Sequence, residues 1–349
     1  MKNKYSIKEV ADIFGITTNK IRFYEKKGLI NPERNEENEY RKYNDNDIIN
    51  LQSILLFRSI GLTIEDVKDI LNNGEKKNYL NHFNNQWKIV NDEIQRLTII
   101  RNSLANVIDK LYEKDNEFEV TEDILSIIKN SNRLYEIKNN WKDKWNFDSW
   151  AMSYDESIKE DRGALKIYKN YDLILTKVYE KVIKEYGSQG SILEIGVGTG
   201  NLASKFLSKE CNIIGIDQSR DMLTFAKKKY PNLKLRLGEF LKIPYENKSF
   251  DVIVSTYAFH HLKDEEKVVA IEEMLRVLKD DGIIVMGDLM FENDESKEII
   301  LKSLSNTQKD EVEDEYYSNI EFLKKEFNNY DKALEYEKID ILNYIVSVS

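Results

Sequence analysis

A chain of 349 residues with 41% apolar side chains has room for two or three domains, each with its own core, and its composition excludes a disordered or fibrous chain. The net charge of -10 excludes a protein that coats nucleic acid over its whole surface, and the single cysteine, Cys211, excludes an internal disulfide. Three histidines, His82, His260 and His261, make no cluster with zinc-like spacing, so no metal is expected; no run approaches the roughly 18 to 20 apolar residues of a membrane span, so the chain is read as cytoplasmic with no membrane partner.

The charge is unevenly distributed. Residues 1–43 hold ten Lys and Arg against seven Asp and Glu, whereas about 291–340 is crowded with acid, so a DNA partner would meet the first segment. Ser6-Ile7-Lys8-Glu9 has the form of a capping box, and Ile7, Val10, Ala11 and Phe14 follow at helical spacing up to Gly15. Thr17 or Thr18 caps a second short helix, with Ile21 and Phe23, that stops at Gly28. Such a pair predicts a helix-turn-helix whose second helix lies in the major groove, placing Asn19, Lys20, Arg22 and Tyr24 against DNA. Tyr24 fits the core of the pair equally well. The polar stretch from Pro32 to Tyr43, with Arg34, Tyr40 and Arg41, reads as a wing, although Arg34 also fits an ordinary surface position. Asn44 or Asp45 caps a third helix, and Thr63-Ile64-Glu65-Asp66 starts a fourth that ends near Gly74.

The order Ile21-Arg22-Phe23-Tyr24-Glu25, Gly28-Leu29-Ile30, Arg34, Tyr40-Arg41-Lys42-Tyr43 and Ile54 to Leu62 resembles the whole DNA-binding domain of the mercury-resistance-regulator (MerR) family. The resemblance implies a homodimer on an inverted repeat in double-stranded promoter DNA, with Arg22 and Tyr24, and Arg34, Tyr40 and Arg41 of the wing, on bases or phosphates. It also implies an indirect action on RNA polymerase, through distortion of the promoter spacer that an effector alters.

From Leu80 the apolar positions alternate by three and four: Phe83, Trp87, Val90, Ile94, Leu97, Leu104, Ile108 and Leu111, with Arg101 breaking the stripe. This predicts a coiled-coil seam and a homodimer through 80–111; a helix packed on the C-terminal domain is the alternative. The expected division is a winged helix-turn-helix over 1–74, a dimerisation helix over 75–114, a helical connector over 115–147 that carries Trp141 and Trp145, and a second globular domain over 148–349.

In that domain the apolar run Ser191 to Ile195 leads into Gly196-Val197-Gly198-Thr199-Gly200-Asn201 and then into a helix, the strand, turn and helix that cradle a nucleotide. A dinucleotide fingerprint wants glycine at the sixth position, where Asn201 stands, and Glu194 before the turn would repel a pyrophosphate. Both point instead to S-adenosylmethionine (SAM), whose methionyl end offers an ammonium. Asp217, ending the next strand, has the chemistry to accept two ribose hydroxyls. Further strands end near Gly238, at Phe250 to Ser255 and at Gly282 to Met286, the last after a helix over Val268 to Leu278; strand and helix alternate as in a doubly wound parallel sheet.

Residues from about 148 to 290 resemble a class I SAM-dependent methyltransferase of the small-molecule kind, and Tyr336 to Ser349 resembles its final antiparallel strand. The fold expected is thus mixed: an all-α winged helix-turn-helix domain and long helix, then an α/β Rossmann-like sheet. By that resemblance Glu194, Gly196, Gly198 and Gly200 hold the methionyl end, Asp217 the ribose, and Gln218, Met222, Glu239 and Phe240 the adenine. Tyr154 covers the methionyl end and Ser255 stands at the cleft. His260 or His261, after the fourth strand, is the base expected for a small-molecule methyl acceptor, against the alternative of a histidine that closes the strand; Asp288 is a weaker candidate. Two functions follow: an active enzyme that also regulates transcription, or a sensor that keeps the fold as an effector pocket without turnover. The DNA-methylating alternative is disfavoured because Ser255-Thr256-Tyr257-Ala258 lacks the Asn/Asp-Pro-Pro-aromatic element.

Overall fold

The computed structural model describes residues 4–35, 39–73, 79–113, 120–209 and 211–349. The chain divides into two compact units, Met1–Ile94 and Gln95–Ser349. Gly74, the expected stop of the fourth helix, lies outside the described residues.

The first unit opens with α1 (Ile7–Phe14) and α2 (Thr18–Lys26). Ser6 and Glu9 close the expected capping box, Thr17 rather than Thr18 caps α2, and Gly15 ends α1 with φ of 62°. The helix α2 stops at Lys26, two residues before Gly28. Two-residue strands β1 (Glu33–Arg34) and β2 (Arg41–Lys42) pair antiparallel as the wing. Then follow α3 (Asp45–Ser59), capped by Asn44 with Asp47, and α4 (Ile64–Asn73). Val10, Ile21, Leu51, Ile54 and Phe57 are buried together as its core. Tyr24 joins them at 3% exposure, because it lies one helical turn from Ile21 on the same face.

A single helix, α5 (Tyr79–Glu113), carries the expected apolar stripe, and its side chains stand largely in solvent: Leu97 is 51% and Leu104 59% exposed. The helices α6 (Val120–Asn140), α7 (Phe147–Trp150) and α8 (Tyr154–Glu160) then lead to α9 (Tyr171–Glu185).

The second unit is built on β3 (Ser191–Ile195), α10 (Asn201–Leu207), β4 (Asn212–Asp217), α11 (Arg220–Lys229), β5 (Lys234–Leu237), β6 (Phe250–Thr256), α12 (Asp264–Val277) and β7 (Leu278–Phe291). After α13 (Asp294–Ser303), α14 (Asn306–Glu313), β8 (Ser318–Asn319) and α15 (Ile320–Asn328), the chain closes with β9 (Leu334–Lys338) and β10 (Asn343–Val348). The sheet order is β5-β4-β3-β6-β7-β10-β9, with β8 paired to β7. The strands β5, β4, β3, β6 and β7 run parallel, and β10 lies antiparallel between β7 and β9. The C-terminal segment is thus two strands where the sequence suggested one, since Asp340 turns the chain by accepting from the amides of Leu342 and Asn343. Strand β7 is also longer than the expected Gly282 to Met286, and α12 begins earlier, at Asp264, and stops before Leu278. Apolar side chains cover both faces of the sheet, Ile174, Val178 and Phe206 on one and Ile271, Met274 and Leu323 on the other. The parallel strands are therefore near-continuous apolar runs, and a ligand has access at their C-terminal ends. No described helix is long and apolar enough to cross a membrane.

Candidate functional site

The carboxyl ends of β3 and β4 are stitched together by the glycine turn. The amides of Gly196 and Val197 both donate to the Ile216 carbonyl, at 2.9 and 3.0 Å, and the Gly198 amide donates to Asp217 Oδ2 at 2.8 Å. Gly196 has φ of 73°, and a Cβ there would meet that of Ala258 at 2.5 Å, so only glycine fits. Asp155 of α8 clamps the turn from above: its carboxylate accepts from Thr199 Oγ1 at 2.6 Å and Asn201 Nδ2 at 3.0 Å, and pairs with Lys229 Nζ at 2.5 Å. Lysine and these donors hold it below the usual carboxylate range, against its partial burial.

Beside the turn lies a narrow cleft of about 80 Å³, lined by Gly196, Gly198, Asp217, Gln218, Met222, Glu239 and Phe240, with Tyr154 from α8. These eight expected residues converge. Trp141, Phe147, Trp150, Tyr168 and Tyr257 complete the wall. Among the lining residues there is no lysine or arginine, while two carboxylates are present. Asp217 is buried, and this burial pushes its pKa up to about 6, with the Ser219 and Gly198 amides opposing it and Asp148 and Asp143 adding to it. Each Asp217 oxygen takes one backbone N–H, from Ser219 and Gly198, which leaves a lone pair on each for a hydroxyl.

Three expected residues stand behind the lining. Glu194 is 2% exposed beneath the turn, its Oε2 has no hydrogen-bond partner, and burial followed by the nearby Asp217 holds its carboxyl well above the ordinary value, opposed by the Ala203 amide. Gly200 caps α10, its Cα facing the Tyr230 ring. Ser255 is fully buried and donates to the Ile195 carbonyl at 2.8 Å, tying β6 to β3. None of the three is among the residues that line the cleft.

The two histidines differ. His260 is buried, with Nδ1 2.5 Å from Asp288 Oδ1; burial disfavours its charged form, but the carboxylate outweighs this and raises its acid constant. Asp288 also accepts from the amides of Ala258, Phe259 and His260, so the pair closes the loop after β6. His261 lines the cleft, its Nδ1 2.9 Å from Glu315 Oε2, with its ring against Trp145 and Phe147. Burial and then His260 lower its acid constant, in spite of Glu315. Because a carboxylate can only accept, Nδ1 carries the proton and Nε2 is left as the basic nitrogen. Ligand atoms of His260, His261 and Glu315 lie within 4.8 Å of one another.

In the first unit Asn19, Lys20 and Arg22 are exposed on α2, with Arg22 Nη1 donating to Asn19 Oδ1 at 3.3 Å. Arg34 and Tyr40 are exposed on the wing, Tyr40 at 73%. One expected contact is corrected: Tyr24 belongs to the core. Arg41 is partly exposed on the wing, with its Nε on Glu25 Oε2 at 2.7 Å, where Tyr43 also donates to Glu25. Arg41 thereby joins wing to recognition helix. Sequence spacing offered no sign of this, since Glu25 looks like one more surface acid.

Leaving aside the two-residue β8 and numbering the other strands of the second unit in chain order, the sheet order is 3-2-1-4-5-7-6 with the seventh strand antiparallel, and this together with the glycine turn defines a class I methyltransferase fold. Residues 192–282 match the family described as a methyltransferase domain, and residues 5–74 match the MerR HTH family of regulatory proteins. The chain is 37% identical over 206 residues to an uncharacterized methyltransferase of Oceanobacillus iheyensis, covering 58% of this chain and 94% of the relative. An uncharacterized methyltransferase of Anoxybacillus flavithermus is 36% identical over 189 residues, 53% of this chain and 86% of that one. Of solved structures, a Pyrococcus horikoshii protein aligns over 52% of this chain and 91% of its own at 19% identity, with a TM-score of 0.44. The chain belongs to this methyltransferase family through its second unit, and joins to it a MerR-type DNA-binding domain.

Proposed function

We propose that the protein is a promoter-binding regulator whose second unit binds SAM and transfers its methyl group to a small molecule. The observation that carries this is the chemistry of the cleft wall: the carboxyl groups of Asp217 and Glu239, and no lysine or arginine. A cofactor with a sulfonium and an ammonium fits there, whereas a pyrophosphate would sit among carboxylates with no counter-charge. When bound, SAM supplies an electrophilic methyl on a positively charged sulfur. Asp217 takes the ribose hydroxyls, Gly196 and Gly198 let the backbone approach the methionyl end, and Met222 and Phe240 sandwich the adenine. Trp150, Phe147 and Tyr154 line the cleft and exclude water, which is most of what an in-line displacement asks of a protein. His261 takes the acceptor's proton. His260 and Asp288 hold the loop that presents it.

DNA binding rests on exposed Asn19, Lys20, Arg22, Arg34 and Tyr40, and dimerisation on the open apolar stripe of α5. The second unit also contains a route from cleft to helix. Lys138 of α6 is buried and donates to Gln95 of α5 and to Glu273 of α12, each at 2.9 Å; Glu273 in turn accepts the Ile243 amide at 3.2 Å. The segment before Ile243 forms the adenine side of the cleft, and Trp141 at the end of α6 lines it too. Occupancy of the cleft is thereby felt at α5.

The test is release of S-adenosylhomocysteine by purified full-length protein over a panel of amines, phenols and thiols, with footprinting on its own upstream region. Turnover of one class and protection of an inverted repeat support the reading. Tight SAM binding with no product from any class would make the protein a sensor instead.

A further inference from the structure

Next to the cofactor cleft is a second, larger cavity of about 620 Å³, within the range of small-molecule sites. It shares Trp150, Tyr154, Tyr168 and His261 with the cleft, so a molecule seated there has one end at the cofactor. Its wall includes the carboxylates of Glu160, Asp161, Asp310, Glu311, Asp314 and Glu315, against one guanidinium, Arg162. Some of these acids are already engaged: Glu160 with Arg162 at 2.8 Å, Glu311 with the Ala164 and Leu165 amides, Asp314 with Lys144 and Glu315 with His261. Among the described residues no cation pairs with the carboxylate of Asp161 or Asp310. Trp150, Tyr154, Tyr168 and Tyr317 also line the cavity, and aromatic rings attract a cation as well as an apolar body.

We infer that the methyl acceptor is a small organic amine that enters as a cation, its apolar body on the aromatic wall and its charge among the carboxylates. This rests on the methyltransferase reading and names its substrate class. For transfer, the ammonium first loses a proton to His261 Nε2, which passes it on to solvent. The freed lone pair forms the nitrogen–carbon bond as the carbon–sulfur bond breaks, with that bond's electron pair staying on sulfur. The product nitrogen, now carrying one more carbon and a positive charge, leaves as the methylated ammonium.

Binding, rather than turnover, tests the assignment. Calorimetry on the full chain saturated with S-adenosylhomocysteine would compare benzyltrimethylammonium, benzyl alcohol and phenylacetate. The cation should bind about tenfold or more tighter than the alcohol, the carboxylate should not bind, and the double variant D161N/D310N should weaken the cation about fivefold or more with S-adenosylhomocysteine affinity unchanged. Equal or tighter binding of the alcohol or the carboxylate, or a cation affinity indifferent to both substitutions, would overturn it. Failure of S-adenosylhomocysteine to bind would sink the cofactor reading separately, since benzyltrimethylammonium can be titrated without it.

Discussion

Asp217 works at the end of β4 as a carboxylate that the fold has made easy to protonate. Its acid constant of about 6 means that acceptance of the ribose hydroxyls weakens as pH falls through that value, so SAM affinity should drop below about pH 6 and level off above it. The variant D217N keeps the shape but loses the charge, and calorimetry should show affinity lower by about 10- to 100-fold, the range expected for hydrogen bonds to a charged acceptor. His260 and Asp288 give a stability test. The histidine's raised value means that its contribution is complete below the ordinary 6.5 and lost as pH rises through the raised value; the lowered Asp288 adds stability above 3.8 that is lost as pH falls. The two together act most strongly between those limits. Thermal melts of H260Q should therefore show their largest deficit near about pH 6 and a smaller one near about pH 9. A deficit that grows with pH would mean that the buried pair is not ionised.

At the scale of elements, the glycine turn and the α6 anchor are the two parts with little tolerance. The substitution G196A forces a left-handed backbone and a Cβ onto Ala258, and should cost about 1 to 3 kcal/mol by urea unfolding together with cofactor affinity. Lys138→Met leaves Glu273 buried with only Arg276, 2.8 Å away, as a cation, so a loss of roughly 3 kcal/mol is expected. Both elements also show what a sequence discloses. The turn was legible because strand, glycines and helix lie within a few residues and each has a local chemical reason; the caps at Ser6, Thr17 and Asn44 were legible for the same reason. Asp155 was not, since it reaches Thr199 from 44 positions away and nothing near Tyr154 announces that contact. Trp141 stood out only as an aromatic on a connector, and Phe147, which shares the wall of the cleft with it, did not stand out. Their place over the cleft depends on how α6 to α8 fold back on the sheet, a tertiary fact without local periodicity.

For the whole molecule, the acidic net charge and the proposed DNA contact of the MerR-type domain are reconciled by segregation, with cations on α2 and the wing and acids in the last third of the chain. In the proposed dimer each apolar side chain of the α5 stripe gains about 1.5 to 3 kcal/mol on burial. If α5 is the dimer seam, replacing Leu97 and Leu104 by Glu should give a monomer in sedimentation experiments and abolish footprinting, while SAM binding in the second unit persists. The central claim is that the bend from Gly196 to Gly200 wraps a cationic sulfur cofactor. Titration of full-length protein with SAM and with NAD in the calorimeter tests it most directly. Saturable binding of one SAM per chain and no heat from NAD is the predicted result; uptake of NAD, or indifference to SAM at millimolar concentration, would contradict it.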